Sequence, residues 1–152
     1  MKSLGVALAL AALSAWSAPA HAEGGTLTFE VTSVRFSGGS IRVDVCTPDT
    51  FLKAVCEYSG AAPAVRGVTT ITFENLPPGV YAAQVYHDWN DNHRVDRTVL
   101  GIPREGLGFS NDAPLGLHGP SFARAAFTHE AAPQTLKVQL HHFAPVPKTT
   151  EK

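Results

Sequence analysis

Charge is scarce in this 152-residue sequence and neither sign prevails: 12 Lys and Arg stand against 13 Asp and Glu. Such a chain lacks the basic face that nucleic-acid binding requires, so no nucleic-acid partner is expected. Cysteine is nearly missing, with two residues in all. Their nine-residue gap, without a matching Cys or His pair, argues against zinc, and it is not a redox C-x-x-C. The seven histidines form neither H-x-H nor H-E-x-x-H, which argues against a transition-metal site. No G-x-S-x-G elbow surrounds Ser110 or Ser121. Gly101, Gly106 and Gly108 lack the following Lys-Ser or Lys-Thr of a phosphate cradle.

Long hydrophobic runs are missing too. Leu4 to Trp16 is apolar but too short to span a bilayer. Lys2 precedes it, and Ala20-His21-Ala22 follows as an A-x-A cleavage pattern. The expectation is a signal peptide over residues 1–22, cleaved after Ala22, and a periplasmic or secreted product. A retained anchor is the alternative. Removing Lys2 leaves 11 basic against 13 acidic residues, a formal charge of −2. The remaining chain suits one domain over 23–143 and a tail over 144–152. No membrane span follows the leader, and a monomer is expected. In an exported chain the pair Cys46 and Cys56 favours a disulfide, worth about 3 kcal/mol on chain-entropy grounds. Two free thiols or a metal pair are the competing readings.

What is present is alternation. Leu27, Phe29 and Val31 alternate with polar residues, as do Ile41, Val43 and Val45, then Ile71 and Phe73. Tyr81, Ala83 and Val85 repeat the pattern, and so do Leu136, Val138 and Leu140. "SFARAAFTH" is a weaker strand. Period two marks half-buried strands, and the fold class expected is an all-β antiparallel sandwich of about seven strands. "TPDTFLKAVCEYSG" is the one helical hint, capped by Thr47 and stopped at Gly60. Arg97 to Pro120 shows no clear strand, an unusually long connection for a compact domain.

That connection follows "HDWNDNHRVD", residues 87–96. With Asp88 as position 1, Asn90, Asn92 and Asp96 fall at positions 3, 5 and 9, and the Arg94 carbonyl at position 7. These are the first five oxygen donors of a calcium loop, in order. Position 6 is His93 instead of Gly, among the residue types that tolerate positive φ best outside Gly. Position 12 is Val99, which cannot ligate. Glu105 is the best candidate to close the site, with Asp112 behind it. The affinity expected is weak, on the order of 10⁻⁴ M. The competing reading is an Asx-rich turn that satisfies its own backbone. Tyr86, Trp89 and Phe109 form a candidate ledge for a sugar or peptide. A hydrolase centred on His87, Glu105 and Ser110 is a further rival reading.

"LPPGVYAAQVYHDWNDNHRVD", "GIPREGLGFSN" and "GPSFARAAF", behind a signal peptide, together resemble the bacterial exported family known as domain of unknown function 2141. The resemblance implies a transthyretin-like (prealbumin-like, Greek-key) sandwich and no established activity. The Asp88, Asn90, Asn92, Asp96 array is also similar to the calcium-binding B-type repeats of surface adhesins, which carry D-x-N-x-N-G-x-x-D after a strand. Transthyretin-related hydrolases end in Tyr-Arg-Gly-Ser, whereas this chain ends in "TTEK". The functional expectation is an exported, non-enzymatic binding or structural module with a calcium loop. The alternatives are a small-ligand (sugar or peptide) binder without metal and a transthyretin-related hydrolase.

Overall fold

The computed structural model describes residues 23–53, 55–116 and 118–145. The expected leader over 1–22 lies outside them, as does all but the start of the expected tail. Eight strands form two packed sheets: β1 (Gly25–Val34), β2 (Ser40–Cys46), β3 (Tyr58–Pro63), β4 (Gly67–Leu76), β5 (Gly79–Asp88), β6 (Leu107–Phe109), β7 (Ala126–His129) and β8 (Gln134–Gln139). One sheet runs β4-β1-β8. The other runs β3-β2-β5-β6, with β7 also on β5. The chain is an all-β sandwich. One pair departs from the antiparallel expectation, because β8 lies parallel to β1 with Phe29 opposite Leu136.

Alternation in sequence becomes layering in space. Leu27, Phe29 and Val31 face inward from β1, against Ile41, Val43 and Val45 of β2 and Val85 of β5. All seven are at most 1 % exposed. Phe29 meets Phe73 and Phe127 edge to face at 5.8 and 6.3 Å between ring centres, a favoured aromatic geometry.

β5 differs from the other long strands because both of its faces are covered. A second cluster of Cys46, Phe51, Cys56, Ala82, Phe109, Ala113 and Ala125 seals its outer face. These residues come largely from the segments after β2 and β6, so the long connection is a cover for the sheet. It holds the three-residue strand β6, a 3-10 turn at Ser110–Asp112 and a four-residue helix, α1 (Phe122–Ala125).

The structure differs from two expectations. The Thr47–Gly60 segment makes turns up to Lys53 and then strand β3, so no helix ends at Gly60. Gly60 instead sits where an added Cβ would lie 3.0 Å from both Ile71 and Phe73 side chains. The weak strand begins only at Ala126, because Phe122–Ala125 coils. The described residues hold eight strands, in line with the expected sandwich of about seven. The Cys46–Cys56 disulfide is formed, with 4.6 Å between Cα atoms, and ties the end of β2 to the residues before β3.

Candidate cation site

β5 ends in Asp88, which is 0 % exposed. In the β2–β5 register Ser40 faces Asp88 and Arg42 faces Tyr86, so Arg42 stands diagonally from Asp88 on the outer face. Arg42 Nε donates to Asp88 Oδ2 at 2.8 Å. The amide of His93 donates to the same oxygen at 2.8 Å, and that of Asn92 to Oδ1 at 2.9 Å. The loop after β5 is thus wound around its first carboxylate.

The other odd positions close on one another. Asn90 Nδ2 donates to Asp96 Oδ2 at 2.8 Å, and Asn92 Nδ2 lies 3.0 Å from both Asp96 oxygens. The side-chain oxygens of Asn90 and Asn92 accept the amides of Asn92 and Arg94 at 3.3 and 3.1 Å. His93 holds φ +66, the left-handed conformation that position 6 demands. The hydrogen bonds from Asn92 and Asn90 hold the Asp96 carboxyl below its usual range. At position 12, Val99 is fully exposed and contributes nothing.

Residues 96–105 then fold back. Arg97 bridges Pro103, and the Arg104 amide donates to the Asp96 carbonyl at 2.8 Å. This return delivers Glu105, only 2 % exposed, to the loop, where Oε2 accepts the Asp96 amide at 3.1 Å. Its other oxygen, Oε1, is buried with no hydrogen-bond partner. Burial pushes the Glu105 carboxyl up to about 7. The Asp96 and Trp89 amides oppose the rise, and the charges of Asp88 and Asp96 add to it. Asp112 takes no part: its Oδ1 accepts the Gln139 amide at 3.0 Å.

Gly39 sets the seat of the loop. It has φ +65, and an added Cβ would lie 2.1 Å from the Asp88 carbonyl oxygen and 2.5 Å from Trp89 Cα. Ser40 Oγ, one residue on, donates to Asp91 Oδ1 at 2.7 Å. Arg42, Gly39 and Ser40 were invisible as site residues in sequence. Only the strand register brings them to residues almost fifty positions away.

Among the described residues no three His, Cys, Asp or Glu side chains are grouped to hold a metal ion. Calcium takes amide and carbonyl oxygens as well as carboxylates. The orphaned Glu105 oxygen fits such an ion, since a buried acceptor without a partner is costly.

The aromatic ledge divides. Tyr86 and Phe109 line an open cleft of about 890 Å³ on the outer face of the larger sheet. Trp89 lines a small separate hollow with Phe36, His87 and Glu105. The hydrolase set is also split. Ser110 Oγ accepts the Ala83 amide at 2.8 Å and donates to the Ala125 carbonyl, while Glu105 sits at the Asp88 end of β5. Ala83 and His87 are four residues apart on that strand, about 13 Å.

A family model described as "Uncharacterized protein conserved in bacteria (DUF2141)" matches residues 29–137. The chain belongs to this family. The match runs from within β1 into β8, so the sandwich and the loop that carries the candidate site both lie inside it. No curated protein and no solved structure matches the chain. The family description names no activity, which leaves geometry to carry the functional reading.

Proposed function

We propose that this protein is an exported, non-catalytic β-sandwich module that takes a calcium ion in the loop after β5. Asp88, Asn90, Asn92, Asp96 and the Arg94 carbonyl would supply the donors from one bend, and Glu105 would close the set. The observation that carries the reading is Glu105: a buried carboxylate beside two others, with one oxygen lacking any donor. A divalent cation would neutralise the clustered charge and occupy that oxygen. It would also tie residue 105 to residues 88–96 and stiffen the loop between them. Export is supported by the Cys46–Cys56 bridge, which persists in oxidising compartments, and by the leader pattern. No helix among the described residues is long and apolar enough to cross a membrane.

Thermal unfolding tests this reading. At a calcium concentration about 100 times a Kd on the order of 10⁻⁴ M, binding should stabilise the fold by about 2.7 kcal/mol. For a domain of this size that raises Tm by roughly 10 °C. Magnesium should do far less, because it demands tighter octahedral geometry. An unchanged Tm in calcium would overturn the proposal.

A further inference from the structure

The cleft over β2, β5 and β6 stands apart from the cation loop in chemistry, although residues 93–103 form one of its walls. Four large hydrophobic side chains line it while staying in solvent: Leu52, Leu100, Ile102 and Phe143, 42, 82, 43 and 46 % exposed. Exposed apolar side chains scattered singly need no explanation, but a cluster around a concavity does. Its volume of about 890 Å³ falls within the range of small-ligand pockets, roughly 300–1,000 Å³.

The uncommitted charge on the lining is positive. Asp44 is the one acid among the described lining residues, and its oxygens are already engaged, by Ser59 Oγ at 2.6 Å and Gln84 Nε2 at 3.1 Å. Arg94 and Arg97 face it from the loop, with the imidazoles of His93 and His118 nearby. One Arg97 nitrogen holds the Gly101 carbonyl at 3.0 Å, leaving the rest of its fork for a ligand. The Arg94 side chain is 76 % exposed and reaches Asp96 only at 3.5 Å. A sugar fits less well. Tyr86 and Phe109 are 9 and 5 % exposed and present little ring face for stacking.

We infer that this cleft binds a small anionic amphiphile, an apolar body ending in a carboxylate or phosphate. Leu100, Ile102 and Phe143 would cover the body. Arg94 and Arg97 would take the charged end, since guanidinium matches both anions. This goes beyond the calcium reading and does not depend on it.

Calorimetry on the disulfide-bonded protein decides it, with octanoate, octyl phosphate and neutral octanol as probes. The expected result is a Kd at least about tenfold lower for one of the anions than for octanol, and the better anion identifies the head group. Leu100→Glu should weaken that anion about tenfold or more and leave Tm unchanged, because Leu100 is exposed and lies outside both core clusters. Amide chemical shifts should move at Gln84, Ile102 and Gly119. The inference is overturned if octanol binds as well as both anions, if none binds at millimolar concentration, or if Leu100→Glu leaves the Kd unchanged. Binding in calcium or in chelator supports the cleft equally, so the two proposals fail separately.

Discussion

At the scale of single residues, Glu105 is the most costly group to bury: it is nearly out of water, close to two carboxylates, and half unpartnered. Its carboxyl is raised from 4.5 to about 7 in the folded chain, so between those values the folded state holds a proton that the unfolded state releases. That contribution to stability is full below pH 4.5 and is lost as pH rises through about 7. The loss is at most about 3 kcal/mol at one pKa unit per 1.36 kcal/mol. His87 and His142 are lowered, chiefly by burial, and act in the opposite sense: their contribution is lost as pH falls below 6.5. The difference between wild type and Glu105→Gln therefore isolates the acid. Urea midpoints measured in chelator should show Glu105→Gln gaining on wild type from about pH 5 to about pH 8. Parallel curves would show that Glu105 holds no extra proton in the fold. Gly39→Ala is a second test at this scale. With φ +65 and a Cβ driven onto the Asp88 carbonyl, it should cost on the order of 2–4 kcal/mol in denaturant unfolding. Native stability in the Gly39→Ala protein would mean that the loop does not rest on that backbone.

At the scale of elements, β5 organises the molecule, because the core covers one face and the disulfide segment and the β6–α1 segment cover the other. Replacing both Cys46 and Cys56 by Ala should lower stability by about 3 kcal/mol, the loop-closure value for a bridge of this span. A loss near zero would indicate that the segment after β2 is held by Phe51 and by the Glu57 hydrogen bonds to Thr47 and Thr50 without the bridge. The strands that alternate large apolar with polar residues, β1, β2, β4, β5 and β8, were legible in sequence, because one face of each meets the core. β3 was not, since "YSGAAP" has little to alternate, and Pro48 with Gly60 imitates helix punctuation. β6 is three residues long and carries no period. In the loop, the positive φ of His93 followed from its place in the spacing. Glu105 was legible as the only acid between Arg97 and Asn111. Arg42, Gly39 and the separation of Trp89 from Tyr86 were not, because each depends on which strands pair and in what register.

At the scale of the whole molecule, both sheets close the core, and the larger one also bears the candidate loop at its end and the cleft on its outer face. The cation loop caps the end of β5, and the cleft opens beside it over Gln84 and Tyr86. Both involve residues of the connection between β5 and β6. Calorimetric titration of calcium into wild type and Glu105→Gln tests the proposed ion most directly. The expected result is one site per chain with a Kd on the order of 10⁻⁴ M, weakened at least about tenfold when Glu105 loses its charge. Wild type giving no heat at millimolar calcium, or both proteins giving the same isotherm, would contradict it.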